Sequence, residues 1–343
     1  MRYLEKYMLM VLVLCFTGCS KNHDGAAADP AAPSNIEIKT VLSTDNSGTV
    51  TFTVTAANAV SYEFDYGNGV NELSTTGQVT YKYPVAGTYT VKVTAKSAQG
   101  KVAIQKTNVT VTASESLIWS DEFDKAGAPD PGKWGYDLGN NNGWGNNEVE
   151  YYTNRPENVI IADGKLKITL KKENYNGYNY TSARLLSKGK FNFKYGRVEF
   201  KAKLPTGGGT WPALWALGSN IDTTPWPACG EIDIMEHVGN QQNKIFSTLH
   251  YPGHYGGGGV GSTVMVPTAS TDFHVYSLEW TATQLKFAVD GNVFYTFAND
   301  ASTPFNNNFF LIMNVAMGGN FGGAVDPAVT SATMEVEYVR VYR

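Results

Sequence analysis

The sequence predicts an all-β protein built as two sandwiches, a small one of the immunoglobulin-like kind followed by a larger jelly roll. Three observations carry this. Apolar and polar residues alternate with period two along most of the chain, as in "TVTFTVTA" from Thr49, "TYTVKVTA" from Thr88, "YGRVEFKAKL" from Tyr195 and "MEVEYVRVY" from Met334. No long stretch has a convincing helical period. Gly, at 35 residues, and Asn break the runs into strand-length pieces, and aromatic residues make up 13% of the chain, with 7 Trp and 20 Tyr.

Taken in order, residues 1–18 read as a signal peptide. Basic Arg2 and Lys6 precede the apolar run "MLMVLVLCFTG", which is too short to span a bilayer. Gly18 directly before Cys19 resembles the bacterial lipoprotein cleavage box, which implies a lipid on Cys19 and a cell-envelope location, outer membrane and cell surface being expected. Residues 19–35, rich in Ala, Pro and polar residues, read as a flexible tether. Residues 36–113 hold the first set of alternating strands, punctuated by "FDYGNG" and "YPVAG". From "SLIWSDEF", near residue 117, a denser aromatic pattern runs to residue 343, and its long strands fit a curved double sheet. Net charge −4 with 17% charged residues gives no basic footprint, which excludes nucleic acid as an expected partner. With Cys15 in the signal and Cys19 lipidated, Cys229 is left without a disulfide partner and reads as buried filler.

Chemistry concentrates in "GEIDIMEH", residues 230–237, where Glu231, Asp233 and Glu236 interrupt a run of Ile and Met. On a regular strand, Glu231 and Asp233 share one face and Glu236 takes the other, so the acids could simply face water. The nearby rings of Trp211, Trp215 and Trp226 argue against a merely solvated face. One extra residue near Met235, a β-bulge, would return Glu236 to the face of the other two. Three carboxyls in one groove could cleave an acetal: one attacks the anomeric carbon, one protonates the departing oxygen, and the third separates their pKa values.

Residues 231–237, with "TWPALWAL" and "WPACG" upstream, resemble the active-site strand of glycoside hydrolase family 16, in its laminarinase-type branch. "GWGNNEVEYYT", "TSARLLSKGKFNFKYGRVEFKAKLP", "NVAMGGNFGG" and "VEYVRVY" extend the likeness over residues 117–343. "YEFDYGNG" and "YKYPVAGTYTVKVTA" resemble the PKD-type immunoglobulin-like repeat, read here as a spacer. The family resemblance implies a concanavalin-type jelly roll and a monomeric, retaining endo-β-glucan hydrolase. Its substrate would be β-1,3-glucan, extending to mixed β-1,3/1,4-glucan, with no cofactor for catalysis. A non-catalytic lectin and a galactan hydrolase of the same fold are the alternatives. Carried over residue by residue, Glu231 matches the nucleophile, Glu236 the acid/base and Asp233 the acid between them. Trp211, Trp215, Arg184, Asn146 and His250 match sugar contacts. A structural calcium, common in the family, would be held at Glu122, Gly164 and Glu337, the last being usually Asp. Phe321 in "GGNFGG" stands where Trp is usual.

Overall fold

The computed structural model describes residues 32–44, 47–83, 86–112 and 116–343. The signal segment, Cys19 and most of the tether lie outside these residues. Among the described residues, no helix is long and apolar enough to cross a membrane.

Residues 34–111 form two small sheets. One contains Ser34–Leu42, Thr49–Ala57 and Gln78–Lys82; the other orders Asn71–Ser74, Ser61–Asp65, Gly87–Lys96 and Val102–Val111. Alternation places Val50, Phe52, Val54, Phe64, Val91 and Val93 in a common core together with Tyr66 and Tyr83, so the period-two pattern is the pattern of burial. Residues 117–343 form the larger unit, a ten-stranded and a seven-stranded sheet. The strand Leu117–Asp121 pairs with Ser331–Tyr342, which ties the start of this unit to its end within one sheet. Its core is one continuous cluster drawn from both sheets, including Ile168, Phe200, Leu214, Ile232, Trp280, Phe287 and Met334.

The seven-stranded sheet carries the site. Its order is Val260–Met265, Lys244–His250, Glu231–His237, Thr210–Gly218, Phe309–Met317, Arg184–Leu186 and Gly135–Asp137. All nine residues of Phe309–Met317 are buried, and Asn314 and Ala316 line a groove on the face away from the core. A strand buried on both faces reads as a continuous apolar run, and that is what "FFLIMNVAM" is, with Asn314 its one strongly polar member.

Candidate active site

The acidic strand is bulged. Against Thr210–Gly218, Leu214 pairs with Met235 and Trp215 with Asp233, leaving Ile234 over. Against Lys244–His250, Asp233 pairs with Thr248 and Glu236 with Phe246, so Ile234 and Met235 together oppose Ser247. Both apolar side chains enter the core cluster. Two adjacent residues on one face reset the alternation, and Glu231, Asp233 and Glu236 all line the groove. Gly230 makes the entry possible: its φ is +82°, and a Cβ there would come within 2.8 Å of Pro304.

The groove, of about 580 Å³, also receives Trp211, Trp215, Arg184, Asn146 and His250, so the structure brings the expected sugar contacts and the three acids together. Trp211 Nε1 donates to Glu236 Oε1 at 3.0 Å, and Thr248 Oγ1 donates to Glu236 Oε2 at 3.2 Å. Trp211 therefore does more than offer a ring face, because it fixes a carboxyl by hydrogen bond. His250 Nε2 lies 3.3 Å from Asp233 Oδ2 and 3.8 Å from Glu231 Oε1. A Cβ at position 259 would press within 2.5 Å of the His250 ring, so Gly259 is the residue that lets the 256–259 loop close over that histidine. Arg184 is held by Asp137 at 3.1 Å and sits 4.8 Å and 4.9 Å from the ring centroids of Trp144 and Trp215. A cation between two aromatic faces is stabilised electrostatically and orients both rings.

Burial dominates the electrostatics. It pushes Glu231 up to about 8, with the charge of Asp233 adding to the rise and His250 opposing it. Asp233 is raised well above its ordinary range by burial and then by Glu236. Glu236 is raised by burial, against which the Trp211 and Thr248 hydrogen bonds and His250 pull. Three carboxyls on so dry a floor cannot all ionise, so the groove retains at least one proton near neutrality.

Groove residues to which the sequence assigned no role include Trp144, Glu148, Phe246, Thr248, Asn314 and Asn320. Thr248 has the same parity as His250 on its strand, and Asn314 is the lone amide in an apolar run, so both left a signal. Trp144 and Glu148 lie around a loop whose path no periodicity describes.

The calcium set behaves differently. Glu122 is engaged by Arg340 through both carboxylate oxygens, at 2.8–3.3 Å, and Glu337 pairs with Lys201 at 2.7 Å. Both acids are thus already neutralised by cations of the chain, and the donor set as arranged does not fit a divalent ion, which wants several uncommitted oxygens. The donor atoms of Glu231, Asp233 and His250, all within 4.8 Å of one another, could hold a metal, but they belong to the groove floor itself.

A sheet face bearing acids, an arginine and tryptophan rings in one long groove is the equipment of a carbohydrate-processing jelly roll. The chain belongs to glycosyl hydrolases family 16, whose model matches residues 146–340; a PKD domain model matches residues 36–114. It is 47% identical over 243 residues to the Beta-glucanase of Rhodothermus marinus, covering 66% of this chain and 85% of that protein. It is 38% identical over 249 residues to the Glucan endo-1,3-beta-glucosidase of Cryptopygus antarcticus, covering 65% and 90%. The crystal structure of the laminarinase from Rhodothermus marinus superimposes with a TM-score of 0.65 at 45% identity, over 67% of this chain and 98% of that one.

Proposed function

We propose that this chain is a retaining endo-β-1,3-glucan hydrolase that also accepts mixed β-1,3/1,4-glucan. The observation that carries the reading is the bulge at Ile234–Met235, which turns Glu236 to the face of Glu231 and Asp233. Glu231 attacks the anomeric carbon, Glu236 protonates the departing oxygen, and a glycosyl–Glu231 ester forms; water, activated by Glu236 as base, then cleaves it. The two carboxyl groups are expected roughly 5–5.5 Å apart, as a retaining pair requires. Attack needs Glu231 as the anion. After burial, the charge of Asp233 opposes that ionisation most and Glu236 adds to it, so the productive form is the one in which Glu231 is ionised while Glu236 holds the proton it must deliver. His250, beside Glu231 and Asp233, favours the ionised form of Glu231 and acts in the same direction on Glu236. Trp211, Trp215, Arg184 and Asn146 would bind the neutral sugar by stacking and polar contact. The relatives named above support glucan as the substrate. The test is the anomeric configuration of the first product from laminarin, followed by NMR: the β-anomer is expected, and the α-anomer refutes the mechanism. Glu231→Ala should be inactive on every glycoside.

The chain would act as a monomer, tethered to the cell envelope through a lipid on Cys19, with residues 36–113 as a spacer. Cys19→Ser should then move the enzyme to the soluble fraction with unchanged specific activity, and a chain beginning at Ser114 should keep its activity on soluble glucan. A soluble wild-type protein would refute the anchor.

A further inference from the structure

Beside the catalytic acids lies a second carboxyl pair. Glu148 and Glu150 sit in "NNEVEYY", both buried, at 6% and 0% exposure, and Glu148 lines the groove. Four side chains converge on Glu148 in one direction. Trp215 Nε1 donates to Asn314 Oδ1 at 2.8 Å, and Asn314 Nδ2 donates to the Tyr152 hydroxyl at 3.0 Å. Tyr152 in turn donates to Glu148 Oε2 at 2.9 Å, while Asn146 Nδ2 donates to Glu148 Oε1 at 3.2 Å. Every proton in this chain points toward Glu148, so its end must be a group that accepts at both oxygens and donates at neither. An ionised carboxylate meets that demand and an amide does not.

Glu150 has the complementary surroundings. Its Oε2 accepts from the Met317 backbone N–H at 2.7 Å, its Oε1 is buried and receives no hydrogen bond, and the Glu148 carboxyl is near enough to accept a proton that Glu150 retains. Two adjacent buried carboxylates repel, and the one with an unpartnered oxygen is the cheaper to keep neutral. Burial and the neighbouring Glu148 both raise Glu150.

We propose that Glu148 is a positioning residue of the sugar groove, an anion whose two oxygens fix Asn146 directly and Trp215 through Tyr152 and Asn314, with Glu150 as its neutral partner. Asn146 and Trp215 are sugar contacts only under the function proposed above, so the inference rests on that reading. Glu148 touches neither the reacting carbon nor the departing oxygen in this account. Its effect should fall on substrate binding, because a misdirected ring and amide weaken ground state and transition state alike.

The experiment measures kcat and KM on laminarin for wild type, Glu148→Gln, Glu150→Gln and Tyr152→Phe, with thermal unfolding of each. Glu148→Gln points an NH2 at a donor, so KM should rise about tenfold with kcat within about twofold. Glu150→Gln imitates a neutral acid and should match wild type in both constants. Tyr152→Phe removes one link without changing charge and should raise KM by about threefold with Tm preserved, which keeps the test open if Glu148→Gln does not fold. The proposal is overturned if Glu148→Gln or a folded Tyr152→Phe has wild-type KM, or if Glu150→Gln is damaged as badly as Glu148→Gln. A wild-type enzyme inactive on laminarin would instead overturn the proposed function.

Discussion

Replacing Asp233 by Asn keeps the shape of the groove floor and deletes one charge, so its effect on the pH profile can be worked from the structure. Asp233 is the largest charged influence on Glu231 after burial itself. Their carboxylate oxygens lie within 4.8 Å of each other. At that separation, two unit charges in an effective dielectric of about 20 repel by roughly 3 kcal/mol, or ~2 pKa units. A neighbouring negative charge raises a carboxylic acid, so its removal lets Glu231 ionise at lower pH. The acidic limb of kcat/KM, which reports ionisation of the nucleophile, should therefore move down by about one to two pH units in Asp233→Asn. Glu236 and Asp233 act on each other, so the basic limb, which reports the proton on Glu236, should move down as well. The rate at the optimum should fall by about tenfold, far less than in Glu231→Ala, because both primary groups remain. The assay is reducing-sugar release from laminarin between about pH 4 and pH 10. Limbs that coincide with wild type, or an acidic limb that moves upward, would refute the electrostatic coupling argued here.

Three further outcomes follow from the same geometry. Glu236→Ala should lose about 10²–10⁴-fold on laminarin, yet an aryl β-glucoside with a good leaving group should still form the glycosyl ester, and azide should then release a β-glycosyl azide; an α-azide or no product contradicts the assignment. Trp211→Phe keeps a stacking ring but removes the hydrogen bond that lowers Glu236, so the basic limb should move up and kcat should fall while KM changes little; an unchanged basic limb would show that the N–H does not hold the acid. Glu231 is raised on folding, so the unfolded chain ionises first and the folded protein loses stability as pH climbs from about 4.5 toward 8. Glu231→Gln should accordingly be more stable than wild type at pH 8 by about 4 kcal/mol and nearly equal to it near pH 4, as read from denaturant unfolding at the two pH values; a gap that does not widen with pH would count against a buried, raised carboxyl.

The sequence alone determined the two β units, because period-two alternation is the burial pattern of a sheet and needs no knowledge of neighbours, whereas Trp211, Trp215, Arg184, Asn146 and His250 were singled out as sugar contacts only through the family resemblance. It also named the acids, since carboxyls amid Ile, Met and Trp are costly unless they have work to do. Which face each acid takes was left open, for a bulge is a property of pairing: Ile234 and Met235 share the core face only because Leu214 and Ser247 set the register on either side. Three-dimensional packing likewise gave Trp211 its hydrogen bond to Glu236, 25 residues away, and assembled Trp215, Asn314, Tyr152 and Glu148 from four separate strands and loops. It also paired Glu122 with Arg340 and Glu337 with Lys201, partners that residue type at a matching position could not foretell. Alternation is written locally along the chain, whereas the direction of a hydrogen bond and the pKa of a buried acid depend on groups that meet only when the sheets close.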